Sequence, residues 1–465
     1  MRWVRAAIST FAIAALATPQ SWAQSRTPMQ ELEGPTFQSE AVTAVSTNPA
    51  LAAERARVRA VRQTLPQAWA ELLPQVTVDA SAIEQDSSED EFLPAFTIRE
   101  QPEYWIASVR SSTLLFGSGR VMASTRQARA QIASAVAAYQ EAVQNIALEF
   151  TQAYAETIYT RAALAAQQES LANLEEQVRF ARANQREGFL TRTDVAQAEA
   201  RVAQSRADVA RARARVTEAV QLYTRVVGHP PGDLPAPPEL QGLPAILSDA
   251  IAYAEDEHPA LVGAAAEVAG ANASVDLAAS GGRLRLFLES TNTTFDAIGS
   301  DVDFGQEFES SVSVRVFVPL FSGGANTSRT RQQRYMRDAA RYSLLDAQRR
   351  VVQRVNVAWS DRESAQARLV ASRARLEAAD LANRGTRREQ QFGQRSMIDV
   401  LNQEQELLSA RVAVAEAERD VVVSERVLAA SIGIIAPLLG VDRAANPRHY
   451  RQPPRPQVRD NDEWW

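Results

Sequence analysis

The chain repeats itself. Gly188-Phe189-Leu190-Thr191-Arg192-Thr193-Asp194-Val195 returns as Gly393-Gln394-Arg395-Ser396-Met397-Ile398-Asp399-Val400, 205 positions further on. The same offset carries Arg110 onto Arg315, Phe116 onto Phe321, Gly119 onto Gly324 and Tyr154 onto Trp359. A unit of about 200 residues is far longer than a solenoid repeat, so the chain holds two copies of one large module. That duplication outweighs the three domains of about 150 residues that 465 residues would otherwise suggest.

Residues 1–23 read as a secretory signal: Arg2 and Arg5 precede the apolar run Ala6 to Leu16, and Ser21-Trp22-Ala23 ends in a small-x-small pattern. An uncleaved anchor is the alternative, but the run falls short of the roughly 20 residues a membrane helix needs. Charges interrupt every later apolar stretch. If this exported chain enters a membrane, it does so as strands.

Cysteine is absent, which excludes disulfides, thiolate metal sites and a lipidated N-terminal cysteine. Lysine is absent too, so all 50 basic residues are arginine, and P-loop or Schiff-base chemistry has no residue to use. Net charge is −6 and is spread along mixed-sign helices, which makes nucleic acid an unsuited partner. His229, His258 and His449 have no metal-ligand spacing and no nucleophile elbow is present, so no cofactor, metal or enzymatic activity is expected.

Each module opens on a capped helix, Asn48-Pro49-Ala50-Leu51 and His258-Pro259-Ala260-Leu261, with proline at the first helical position. The period then changes to two. Strands are expected at about 75–84 and 104–116 in the first copy and 283–291 and 310–321 in the second, each with one apolar face. Acidic loops join them, Gln85 to Pro102 and Thr291 to Phe308, with no calcium-loop spacing. Four strands are too few to close a barrel. Three chains would supply twelve; a soluble sheet packed on the helices is the alternative.

Phe116-Gly117-Ser118-Gly119 and Phe321-Ser322-Gly323-Gly324 then turn the strands into long helices, about 120–187 and 325–392. Each would be roughly 100 Å long. A heptad stripe, Val136, Val143, Phe150, Thr157, Leu164, Leu171 and Val178, gives the first one coiled-coil spacing. The returning helices, about 194–227 and 399–432, are half as long, so each leading helix is expected to stack end to end with one of them. The spans are therefore a signal at 1–23, an irregular segment at 24–47, the first repeat at 48–228, a proline-rich connector at 229–256, the second repeat at 257–436 and a polar tail at 437–465 ending in Trp464-Trp465.

The Asn-Pro-Ala-Leu and His-Pro-Ala-Leu openings, Val318-Pro319-Leu320-Phe321-Ser322-Gly323-Gly324, and Gly393 to Asn402 together resemble the TolC-like outer-membrane factor family over nearly the whole mature chain. The resemblance implies a mainly α homotrimer with a membrane β-barrel: twelve strands continuous with a twelve-helix periplasmic α-barrel, built from two helix–strand–strand–helix repeats per chain. It implies an outer-membrane export channel, embedded in outer-membrane lipid. Small molecules or polypeptides would reach it from a periplasmic adaptor and an inner-membrane efflux pump or ABC exporter. A periplasmic adaptor or coiled-coil scaffold without a barrel is the competing reading.

In that family the helix-hairpin tips close the tunnel. On matching positions, Asp194 and Arg395 would form a restraining pair, and Asp399 from each protomer a cation-attracting ring. Asn402 and Gln390 stand where the family commonly has an aspartate and a hydrogen-bonding aromatic residue, so closure would be weaker. Gly188, Leu190, Thr193, Gly393 and Ser396 would shape the tips and dock the adaptor, and Arg110 and Arg315 would face the barrel lumen. Simple helix capping is the other account of Asp194 and Asp399.

Overall fold

The computed structural model describes residues 36–83, 104–297 and 307–441. The signal segment, the loop Gln85 to Pro102, His449 and the Trp464-Trp465 pair lie outside the described residues. The first repeat comprises α1 (Phe37–Thr47), α2 (Pro49–Arg62), α3 (Thr64–Ala70), β1 (Gln75–Ile83), β2 (Tyr104–Phe116), α4 (Arg120–Arg186) and α5 (Arg192–Val227). The second comprises α6 (Leu247–Glu257), α7 (Pro259–Ser280), β3 (Arg285–Ala297), β4 (Glu307–Phe317), α8 (Ala325–Gln391) and α9 (Met397–Ile432), and α10 (Ile435–Leu438) follows. The duplication extends to element lengths: α4 and α8 each run 67 residues, α5 and α9 each 36.

Five expectations need correction. Residues 37–47 are not irregular but form α1, with Thr36 as its N-cap and Phe37, Ala41, Ala44 and Val45 buried. The connector at 229–256 contains most of α6, which matches α1 in length and starts 210 positions later. The segment from 437 does not leave the fold at once, because Leu439 and Val441 are buried in the core. The acidic stretch from Thr291 is strand up to Ala297, and β4 ends at Phe317 rather than 321 because Pro319 lacks the N–H a strand needs.

The leading helices differ between the copies for a local reason. Pro66 removes a donor and crowds the carbonyl of Arg62, so the first one breaks at Gln63 into α2 and α3. The second repeat has Asp276 at the equivalent position, 210 further on. Here α7 runs unbroken, and Asp276 pairs with Arg126 of α4 at 3.0 Å.

The strands form one antiparallel sheet in the order β1-β2-β3-β4, and among the described residues β1 and β4 each have an unpaired edge. The registers Val78↔Val109, Val109↔Asn292, Leu288↔Val314 and Leu286↔Val316 place Val76, Val78, Val109, Leu286, Leu288, Val312, Val314 and Val316 on one face. Arg110, Thr291, Glu289, Ser311, Ser313 and Arg315 lie on the other. The valine face is bare, with Val312 at 72 % exposure.

The helices continue this order. Next to the sheet, α3 and α2 lie beside α4, α4 beside α7 and α7 beside α8; towards the far end α5, α4, α9 and α8 follow one another. The half-helices meet end to end. Asn48 caps α2 through the Ala50 amide at 2.9 Å and reaches the Val226 carbonyl at the end of α5, while His258 caps α7 through the Ala260 amide at 3.1 Å. Gly433, with φ +92°, ends α9 against that second cap: an added Cβ would lie 3.0 Å from Pro259 Cδ.

Around these junctions α1, α6 and α10 pad the helical layer and close the main core. Phe37, Phe150, Tyr154 and Tyr223 stack there, with ring centroids 4.9 to 6.3 Å apart. Tyr223 donates to the buried Glu40 carboxylate at 2.8 Å, and His229 lies 3.1 Å from the same oxygen. Burial and the Glu40 charge push the Tyr154 hydroxyl up to about 12, so it stays a donor to the Pro235 carbonyl.

Candidate functional site: the helical hairpin tips

Both tips use one backbone device. Gly188 (φ +84°) and Gly393 (φ +73°) take the left-handed conformation that L side chains avoid at a cost of about 1–2 kcal/mol. Space is not the constraint, since nothing lies within 4 Å of an added Cβ at either glycine. The turn returns the Phe189 amide to the Asn184 carbonyl and the Gln394 amide to the Glu389 carbonyl, each at 2.9 Å.

Reciprocal capping boxes follow. The Asp194 carboxylate accepts from the Thr191 amide at 2.9 Å and hydroxyl at 2.7 Å; the Asp399 carboxylate accepts from Ser396 at 3.1 and 2.7 Å. These hydrogen bonds, the hydroxyl first, hold both carboxyls below the usual range, with Arg395 adding a smaller effect at Asp399. Both are therefore charged near neutrality.

The two tips share a backbone and differ in side chains. Arg395 occupies the position of Leu190, and Glu389 that of Asn184. Within the chain Arg395 Nε donates to Glu389 at 2.9 Å and the Asp194 carboxylate holds its own cap, so a pair between Arg395 and Asp194 would have to form between copies. The Schellman turn brings residues 389 and 395 together, a proximity that linear spacing hides.

Gly385, Glu389, Arg395, Asp399, Asn402 and Gln403 line a polar groove of about 400 Å³ between α8 and α9. Asn402 also accepts from Arg201 of α5 at 3.4 Å, and Gln390 donates to the Met397 sulfur at 3.4 Å. Leu190 packs inward on the Leu174, Val178 and Val195 cluster rather than outward, and Thr193 is exposed. The large exposed apolar groups at the tips are Phe189 and Phe392, at 79 % and 80 %.

A buried group escaped the sequence reading. Glu404 is 2 % exposed and pairs with Arg387 at 2.6 Å. Its position in the stripe Met397, Leu401, Glu404, Leu407, all buried, was the available signal.

Among the described residues no group of His, Asp and Glu is placed to hold a metal ion. No helix among the described residues is long and apolar enough to cross a membrane. The outer membrane efflux protein family model matches residues 41–229 and 250–434, most of both repeats. The chain belongs to that family. It is 29 % identical over 394 residues to the outer membrane efflux protein BepC of Brucella suis biovar 1 (strain 1330), covering 84 % of each chain. A shorter match, 32 % identical over 123 residues and 26 % of each chain, is to the alkaline protease secretion protein AprF of Pseudomonas aeruginosa. The outer-membrane channel OprN superposes with a TM-score of 0.74 at 22 % identity, covering 86 % of this chain and 90 % of its own. As a member of the outer membrane efflux protein family the chain is an outer-membrane export channel protein, with its helices extending into the periplasm.

Proposed function

We propose that three copies of this chain close into one duct, a twelve-stranded barrel continuous with a helical tunnel, that passes cargo delivered by an inner-membrane pump through a periplasmic adaptor. The observation that carries this is the shared order of sheet and helices: β1 and β4 have free edges, and the helical layer beneath them ends on the same two sides. Joining β4 of one copy to β1 of the next satisfies the edge donors and acceptors, which lipid cannot do. The valine face then meets lipid, and Arg110 and the Arg315–Glu289 pair, 2.7 Å apart, line the water-filled side. Efflux is favoured over protein secretion, because the match to the efflux protein BepC spans most of the chain and the match to the protease secretion protein AprF only a quarter.

The second tip acts as the gate. Asp399 from each copy would ring the tunnel end, and the Arg395–Glu389 pair would fix the turn between α8 and α9 beside it. Phe189 and Phe392 supply the apolar contact for the adaptor. A periplasmic adaptor role is disfavoured by the family to which the chain belongs.

Arg395→Ala should raise single-channel conductance of purified trimers in planar bilayers and leave their assembly unchanged. Conductance equal to that of the wild type would remove Arg395 from the gate.

A further inference from the structure

Among the polar links that join the repeats along the seam between α4 and α9 are three between side chains. Arg419 reaches Glu156 at 3.1 Å and lies 4.6 Å from the Tyr159 ring, and Arg411 reaches Glu169 at 2.8 Å. The third, nearest the tips, is Glu404, and it differs in kind. Its Oε1 accepts from Asn173 Nδ2 of α4 at 2.9 Å; its Oε2 accepts from Asn383 Nδ2 at 3.1 Å and Arg387 at 2.6 Å, both on α8. One carboxylate thus touches both repeats and, with its own α9, ties three helices.

Burying a carboxylate is costly unless both oxygens have donors, and an apolar residue would fill this stripe without that cost. Beyond it, the α9 tip rests on the first hairpin through Met397 and Leu401. Along this stretch α8 rests on α9, so Glu404 is the polar bridge from α4 to α8. The polar groove, with Arg395, Asp399 and Asn402, opens just beyond the bridge.

We propose that Glu404 is a positioning residue that fixes the rest angle of the second hairpin against the first and so keeps the tip narrow; this rests on the gate placed at that tip. Asn173 is its contact on the first hairpin. Loss of either group frees α8 and α9 to swing as a unit, with the capping boxes and the Arg395–Glu389 pair intact.

The test is single-channel conductance of full-length purified trimers, with Arg395→Ala measured alongside. Glu404→Gln and Asn173→Ala should each raise mean conductance at least about twofold, with the heat resistance of the trimer on unheated gels unchanged. Asn173→Ala decides if Glu404→Gln fails to assemble, because it removes one neutral donor and leaves the Arg387 pair in place. A rise with Arg395→Ala and none with Asn173→Ala would reduce Glu404 to a staple within the second hairpin and overturn the proposal. No rise with any of the variants would mean that the tip carries no gate, and the proposal falls with it.

Discussion

Val312→Arg is expected to abolish accumulation of the assembled channel, whereas Ser311→Arg, one residue away, is expected to leave it near wild type. Val312 lies mid-strand on the bare valine face of β4, and its neighbour Ser311 points to the face that holds Arg110 and Arg315. An arginine facing lipid near the middle of a barrel strand costs about 2–4 kcal/mol, and three copies pay it together, whereas the lumen side is solvated. Immunoblots of unheated outer-membrane fractions measure the outcome. Equal loss from both substitutions would mean that the two faces are not distinguished by lipid, and loss from Ser311→Arg alone would reverse their assignment.

The second large effect concerns acid. Burial, with a smaller contribution from the Arg354 charge, pulls the His258 imidazole down to about 4 from its ordinary 6.5. A depressed histidine binds its proton more readily in the unfolded chain, so stability is full above about 6.5, falls as pH drops through the window from about 6.5 to about 4, and levels off below it. The shift corresponds to at most about 3.5 kcal/mol per chain. His258→Asn installs the residue that caps α2 at the equivalent junction, where Asn48 accepts from the Ala50 amide at 2.9 Å. The variant should keep the α7 cap and lose this share of the acid sensitivity. Urea unfolding at pH 7.5 and 4.5 reads it: the stability of the variant relative to wild type should rise in acid, and a difference independent of pH would show that His258 is not held neutral by the fold.

Much of the frame was legible because repetition is a strong signal. Matching glycines, capping residues and a switch from period two to period 3.6 located the strands, the long helices and both tips. The short helices were not legible for a physical reason. Phe37, Ala41, Ala44 and Val45 have helical spacing, but α1 is only 11 residues long and follows Gly34-Pro35, so its stability comes from the core it packs on rather than from its own sequence.

The site was half legible. The turn and the carboxylates were visible, and the capping account of Asp194 and Asp399 describes their contacts within the chain. The partner of Arg395 was not visible, because a chain reversal places Glu389 beside it. Glu404 was missed because a carboxylate reads as a solvated face until the donors around it are known.

The central claim is that three copies of the chain make one membrane duct, and unheated electrophoresis of detergent-extracted outer membranes tests it most directly. A trimer-sized band that collapses to the monomer on boiling is expected. A species that stays monomeric without heating, confirmed by light scattering in the same detergent, would contradict it.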